Sequence, residues 1–235
     1  MTTTAVPPPT RLDVYRRYVT WIDETCAKDP GARVALRRGL RRGLDDVQGL
    51  HRLVAGWLPD NCSPAEERAF YAVAAMIADR PRHSFTTGEQ EPDTGEEAGD
   101  AGGETATMAK TAVGQERQVR VRRDSLGAAF ARAVPARPGQ PGVRLETAEA
   151  RLNLLTRQSL EGLHRHLPGS IRLLRTADTG IDFAVLLDDL ASWPRYSKTI
   201  SRRWLQDFYR LRRAALEAAA RNADTEADEA ADADD

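Results

Sequence analysis

The chain has 235 residues, of which 41% are apolar, and this is enough for one large or two small globular domains. No apolar run approaches the roughly 20 residues that cross a bilayer, and the N-terminus lacks the basic and apolar regions of a signal peptide. We therefore expect a cytoplasmic protein without a membrane partner.

The net charge of −1 conceals a strong segregation of charge along the chain. There are 32 basic and 20 acidic side chains in residues 1–83 and 116–215 taken together. There are 2 basic and 15 acidic side chains in residues 84–115 and 216–235 taken together. The segments that are predicted to fold therefore carry +12. This is the electrostatic footprint of a protein that binds a polyanion.

The N-terminal half is predicted to be helical. After a Thr/Pro-rich lead at residues 1–10, which we expect to be disordered, apolar residues recur at helical spacing in residues 12–22. Asp29 followed by Pro30 is typical of a helix start. A third helix is expected over residues 47–57, and Ser63-Pro64-Ala65-Glu66 is typical of a capping box that begins a buried fourth helix.

The second predicted helix carries an unbalanced positive face. Residues 33–42 contain five arginines, and no acidic residue lies between Asp29 and Asp45. At about 100° per residue the leucines share one side, and Arg33 lies close to them. The other arginines spread over the adjoining faces, where they are available to an anion; they are Arg37, Arg38, Arg41 and Arg42.

The middle of the chain changes composition twice. Residues 86–115 are rich in Gly, Glu, Thr and Asp, and are predicted to be a disordered acidic insertion. A basic stretch at residues 117–123 and a short helix at residues 125–132 follow it. The Pro/Gly-rich residues 135–142 are predicted to be a linker and the domain boundary.

The C-terminal half is also predicted to be helical. A long helix is expected from Leu145 to about His166, and Pro168 is expected to open a shorter one. Two more helices are expected over residues 182–190 and 197–221, before an acidic disordered tail at residues 222–235. The predicted fold is all-α, with helical-bundle domains at residues 11–134 and 144–221.

No catalytic motif is found in the sequence. There is no phosphate-binding loop, zinc-protease motif or nucleophile elbow, and we expect neither an enzyme nor a cofactor. His164 and His166 are two residues apart and therefore lie on different helix faces, which argues against a metal site. Cys26 and Cys62 are too few for a disulfide framework and are expected to be free thiols.

The arginines gather in groups beside apolar stripes. Coding at high GC content also favours Arg and Ala, so their positions carry more weight than their number. Besides the second helix, the groups are Arg120, Arg122 and Arg123; Arg202 and Arg203; and Arg210, Arg212 and Arg213. A solvated surface is the simplest interpretation of any single one of these residues.

The order of these features resembles the CasB-type small subunit of the type I-E CRISPR surveillance complex, Cascade. The similarity covers most of residues 12–210. Its motifs in this chain are Trp21; Ala35-Leu36-Arg37-Arg38; residues 70–78; Ser125-Leu126-Gly127; Arg151-Leu152 with Leu154-Leu155; His166-Leu167; residues 181–193; and Arg203-Trp204-Leu205-Gln206-Asp207-Phe208-Tyr209.

The resemblance implies a non-enzymatic, all-helical protein that is present as a pair in the complex. It implies other Cascade subunits and the crRNA as partners, together with the target and displaced DNA strands, which basic residues hold in the R-loop. It assigns this role to Arg37, Arg38, Arg151 and Arg157. Charge geometry adds Arg41, Arg42, Arg122, Arg123, Arg202 and Arg203 as candidates.

Two other functions are compatible with the sequence. A helical adaptor could bind an acidic protein partner with its arginine face, and its acidic tail could regulate this contact. A metal-dependent nuclease could use Asp182, Asp188 and Asp189, although adjacent carboxylates on a helix diverge by about 100°. We rank the nuclease last.

Overall fold

The computed structural model describes residues 9–40, 48–81, 124–137 and 139–232. Within these ranges the chain forms eight α-helices, one short 3₁₀ helix and no strand, which confirms the all-α prediction. The helices are α1 (Arg11–Lys28), α2 (Pro30–Arg38), α3 (Gln48–Val54), α4 (Pro64–Ala78), α5 (Leu126–Ala133), α6 (Leu145–Thr156), α7 (Leu160–Thr176) and α8 (Phe183–Asp232). The 3₁₀ helix, Ala55–Trp57, continues α3.

Side-chain caps set the predicted helix starts. The Asp29 carboxylate accepts a hydrogen bond from the backbone N–H of Ala32 at 2.9 Å, with Pro30 at the first helical position of α2. Ser63 caps α4 in the same way through the N–H of Glu66 at 3.2 Å. The Glu66 carboxylate does not complete the predicted capping box. It turns to α1, where the Tyr15 hydroxyl donates to it at 2.5 Å.

The long helix that was predicted for residues 145–166 is wrong. The chain leaves the helix after α6, and the Ser159 side chain caps α7 by accepting a hydrogen bond from the N–H of Gly162 at 3.2 Å. Pro168 does not open a helix either, because it lies inside α7. An interior proline removes one backbone hydrogen bond, and the buried packing of Pro168 and its neighbours outweighs this cost.

The predicted break near Trp193-Pro194 is confirmed as a kink inside α8. Tyr196 has non-helical angles of φ −127° and ψ 19°. A straight helix would separate Asp189 from Trp204 by about 22 Å. The indole N–H of Trp204 nevertheless donates to Asp189 at 2.7 Å, so the two limbs of α8 fold towards each other.

The acidic tail, predicted to be disordered, is helical as far as residue 232. The segment is rich in alanine, which has the highest helix propensity. Arg213 donates to Glu217 one turn later at 2.7 Å, and Arg137 donates to Glu226 at 3.0 and 3.4 Å. These contacts stabilise the second limb of α8 as a helix, although its acidic composition alone predicts disorder.

One contiguous cluster of buried apolar side chains includes residues from both predicted domains. The main partners of α8 are α1, α4, α5 and α6, which come from both of these regions. None of the described residues between α5 and α6, 134–137 and 139–144, is helical, and the backbone N–H of Val143 donates to the Ala133 carbonyl at 2.8 Å. The division into two domains remains a prediction, and the acidic insertion lies outside the described residues.

Gly127 allows the backbone of α5 to lie against that of α8. A Cβ atom at this position would overlap the carbonyl oxygen of Trp204 and would lie 2.7 Å from its Cα atom. Beside it, the Ser125 hydroxyl donates to the Asp207 carboxylate at 2.6 Å. Any side chain at position 127 would therefore push α5 away from α8.

Two further expectations concern cysteine and the membrane. Cys26 and Cys62 are free thiols, as predicted. In the part of the chain that the structure describes, no helix is long and apolar enough to span a bilayer.

We expect Gly127→Ala to lower the free energy of unfolding by about 3 kcal/mol, because backbone atoms of α8 cannot move aside as a flexible side chain would. Chemical denaturation of both proteins measures this loss. Gly169→Ala is the matched control, since its Cβ would meet nothing within 4 Å inside α7, and it should be neutral or stabilising. Equal stability of the two variants would contradict the close packing.

His164 makes the stability depend on pH. The side chain is buried, its Nε2 has no hydrogen-bond partner among the described residues, and burial lowers its pKa to about 4. Between the ordinary pKa of 6.5 and about pH 4, the unfolded chain therefore binds a proton that the folded chain does not.

Stability should fall as pH falls through this window. We expect His164→Leu to remove about 2–3 kcal/mol of the loss between pH 7 and pH 4. Urea denaturation of both proteins at several pH values measures it. If the variant and the native protein lose the same free energy, another group is responsible.

Candidate nucleic-acid interface

Arg37 and Arg38 lie in the last turn of α2 and are exposed, as the sequence predicts. Leu36 is fully buried and fixes which side of the helix faces the core. The Arg37 side chain is 62% exposed. Both guanidinium groups can therefore reach a ligand outside the protein.

A single buried carboxylate joins Arg37 to Arg172 of α7. Arg172 donates to Asp79 through Nε at 2.6 Å and through a terminal nitrogen at 3.1 Å, and Arg37 Nε lies 3.2 Å from the same carboxylate. The Asp79 side chain is 5% exposed, whereas that of Arg172 is 51% exposed. Asp79 thus holds two exposed guanidinium groups side by side from within the protein.

Three more arginines surround the C-terminal end of α4. Arg33 donates to the carbonyl oxygens of Ala78 and Arg80 at 3.3 and 2.5 Å, and Arg175 donates to that of Met76 at 2.6 Å. The last carbonyl groups of a helix have no partner within it and attract cations. We call the complete set the α4 arginine cluster; it comprises Arg33, Arg37, Arg80, Arg172 and Arg175.

The α4 arginine cluster is strongly positive. Among the described residues with a known contact, its five cations face the carboxylates Asp79 and Asp23, the second of which pairs with Arg80 at 2.9 Å. Burial, with smaller effects of the neighbouring Arg80 and Arg172, lowers the pKa of Arg175 to about 10. Arg175 is therefore charged at neutral pH, and the five arginines with these two carboxylates give a formal charge of +3.

A second basic region lies where α6 ends beside α8. The Ser201 hydroxyl donates to the Thr156 carbonyl at 3.1 Å, which places the neighbouring residues Arg157 and Arg202 close together. Both are exposed, as is Arg151 six residues before Arg157. Within the described ranges none of these three arginines forms an ion pair, so all three charges are uncompensated.

Comparison with known proteins agrees with this arrangement of helices. The sequence model of the family described as CRISPR-associated protein Cse2 matches residues 32–209. The chain belongs to the Cse2 family. Among curated protein sequences no match is found.

Three solved structures are similar to this Cse2-family chain. Chains described as "CRISPR RNA-guided surveillance complex" and "CRISPR RNA-guided surveillance complex, pre-nicking" are each 31% identical, with TM-scores of 0.67 and 0.66. The crystal structure of M. ruber CasB is 22% identical with a TM-score of 0.57, which shows a shared fold. Each comparison covers 91% of this chain and 99% of the other.

Arg203 differs from the other candidate residues of this Cse2-family chain. Its guanidinium pairs with the buried carboxylate of Asp189, which also accepts the indole N–H of Trp204. Its side chain is less exposed than that of Arg37. Its role in binding stays a prediction, and its observed contact is internal.

Four of the predicted residues lie outside the described residues. They are Arg41, Arg42, Arg122 and Arg123. Conversely, no sequence pattern pointed to Arg172 or Arg175 of α7, and Arg33 was set aside because it lies close to the leucine stripe. A signal was present in Asp79-Arg80 at the end of α4, where carbonyl groups and a carboxylate attract arginine.

The carboxylates considered for a nuclease have structural contacts. Asp182 accepts the backbone N–H groups of Ala184 and Val185 at 3.1 and 3.0 Å and so caps α8. Asp188 lies 3.8 Å from Arg11, and Asp189 is buried in its ion pair. No group of three His, Cys, Asp or Glu side chains in the described part of the chain could hold a metal ion.

Proposed function

We propose that this chain is a non-catalytic subunit of a CRISPR surveillance complex that binds DNA through arginine–phosphate contacts and stabilises the R-loop. Membership of the Cse2 family supports the assignment to a complex, because the 31% identical chain belongs to one described as RNA-guided. The observation that carries the DNA-binding proposal is the pair of exposed arginines, Arg37 and Arg172, on the buried carboxylate of Asp79.

This arrangement suits a phosphate group. Arg37 approaches Asp79 with Nε at 3.2 Å, and no hydrogen bond from its terminal nitrogens is found among the described residues. A guanidinium group binds phosphate oxygens through two N–H groups at once. Because Asp79 already orients both side chains, less conformational entropy is lost when a phosphate binds.

The proposed contacts do not read the DNA sequence. Arginines on phosphates position a strand, whereas base pairing with a guide supplies specificity in RNA-guided complexes. The exposed Arg151, Arg157 and Arg202 would extend the path along α6 and α8. The proposed partners are the crRNA, other subunits, a second copy of this chain, and the target and displaced strands.

We expect the double variant Arg37→Ala with Arg38→Ala to weaken target binding by the assembled complex about tenfold. The loss should be similar for unrelated target sequences. The slope of log affinity against log salt should flatten by about 0.7–0.9 for each phosphate contact removed. Filter binding over a range of salt concentrations measures both effects.

Arg221→Ala is the control, since it removes an exposed arginine from the acidic end of α8. It should leave affinity nearly unchanged. Unchanged target binding by the double variant would refute the assigned path. Absence of nucleic-acid affinity in the full chain, with and without residues 216–235, would favour the adaptor.

Asp79→Asn distinguishes two effects of Asp79 on DNA binding, namely that it orients the two arginines and that it reduces the positive charge of the site. The substitution makes the site more positive by one charge, so Coulomb attraction alone predicts tighter DNA binding. We expect weaker binding, by about threefold to tenfold, because Arg37 and Arg172 lose the group that orients them. Filter binding measures the sign of the change.

Asp60→Asn is the matched control, because it removes an exposed acidic charge away from the α4 arginine cluster. It should leave binding unchanged or slightly tighter. A melting curve establishes that Asp79→Asn remains folded. Tighter binding by this variant would show that the carboxylate only reduces the charge of the site.

A further inference from the structure

A cavity of about 340 Å³ opens between the first turn of α6 and the second limb of α8. We call it the α6–α8 slot. Its walls are mainly apolar, with charged groups among them. The lining residues are Leu145, Glu149, Phe208, Tyr209, Arg212, Arg213, Leu216 and Glu217.

Three large apolar side chains of the slot remain in contact with water. Leu145 is 39% exposed, and Tyr209 and Leu216 are each 51% exposed. The Tyr209 ring meets the buried Phe208 ring edge to face, with centroids 5.1 Å apart and an interplanar angle of 80°. Adjacent exposed apolar groups on a protein surface are typical of a binding site. Phe208 also restrains the orientation of the Tyr209 ring.

Arg212 places a poorly compensated charge beside these apolar walls. The residue is 8% exposed, and one terminal nitrogen donates to the Val134 carbonyl at 2.7 Å. Its Nε has no hydrogen-bond partner, and no carboxylate of the described residues pairs with it. A buried guanidinium without a carboxylate favours a planar, electron-rich ligand nearby.

The charges around the slot disfavour a phosphate group within it. Glu149 and Glu217 are among its lining residues, and Glu217 already engages Arg213 at 2.7 Å. A neutral, planar ligand with carbonyl groups suits apolar walls, an aromatic ring and a buried guanidinium better than an anion does.

The exposed face of α8 connects the slot to basic residues. At 100° per residue, Lys198, Arg202 and Tyr209 lie within about 40° of one another around the helix axis. All three are exposed. A strand whose phosphates bind the two cations would therefore bring its bases towards the ring of Tyr209. This charge complementarity favours a nucleic acid over a protein segment as the occupant.

We propose that the α6–α8 slot binds one unpaired nucleobase, which stacks on Tyr209 while Lys198 and Arg202 hold phosphates of the same strand. The proposal rests on the proposed DNA-binding function and adds a contact to a base, which arginine–phosphate binding does not require. Stacking on an aromatic side chain tolerates every base, so it is consistent with binding that does not read sequence.

The stacking contact is tested by combining a substitution in the protein with removal of the bases from the DNA strand. The affinity of the full chain is measured for a single strand of about twelve mixed-sequence nucleotides and for a strand of the same length without bases. Tyr209→Ala should weaken binding of the intact strand about tenfold and should leave binding of the abasic strand nearly unchanged. Tyr209→Phe should retain the native affinity for both. Tyr196→Ala is the matched control, since Tyr196 is 58% exposed and does not line the slot.

Four outcomes would overturn the proposal. Equal losses on the intact and abasic strands would show that no base stacks on Tyr209. Unchanged DNA binding together with weaker association with a second copy or with other subunits would make the slot a protein interface. If Arg37→Ala weakens DNA binding while Tyr209→Ala does not, the proposed base site is wrong and the proposed DNA-binding function stands. If the native chain binds neither strand, the base site and the DNA-binding function are both wrong.

Discussion

The close approach of α5 to α8 at Gly127 is the constraint on which the rest of the structure depends. Because Gly127 has no side chain, the backbone of α5 lies against the backbone of Trp204. The indole of Trp204 then reaches across the kink to Asp189, and its ring lies 5.3 Å from that of Trp193. One contact between two helices thus also fixes the angle between the limbs of α8. Several of the motifs that indicated the family meet here, so at these positions the resemblance reflects packing.

The arginines of this chain divide into two physical classes. Arg33 and Arg175 donate to carbonyl groups at the end of α4, and Arg212 donates to a carbonyl group from a buried position. These side chains satisfy backbone groups that would otherwise lack partners. Arg37 and Arg172 share one carboxylate and remain exposed. The +12 of the basic segments therefore overestimates the charge available to a ligand, and the exposed class defines the candidate interface.

Local signals in the sequence were sufficient for several helix starts. Asp29, Ser63 and Ser125 each cap a helix through a backbone N–H three residues later, and such signals are complete within four residues. Pro168 misled the prediction because tertiary packing offsets the loss of one helical hydrogen bond. The pairing of Arg37 with Arg172 joins positions 135 residues apart, and no periodicity within α2 or α7 reveals it. The exposure of arginines such as Arg37 was thus predictable from the sequence, whereas the meeting of Arg37 and Arg172 at one carboxylate was not.

The second limb of α8 changes sign along its length. Its exposed residues are basic at Lys198, Arg202 and Arg210, and they are acidic at Glu217 and Glu226. About 28 Å of helix separate Lys198 from Glu217. A polyanion that follows the basic part must leave the helix before the acidic part, since like charges repel it there. The α6–α8 slot lies at this change of sign, where phosphates lose their binding partners and an apolar, aromatic surface begins.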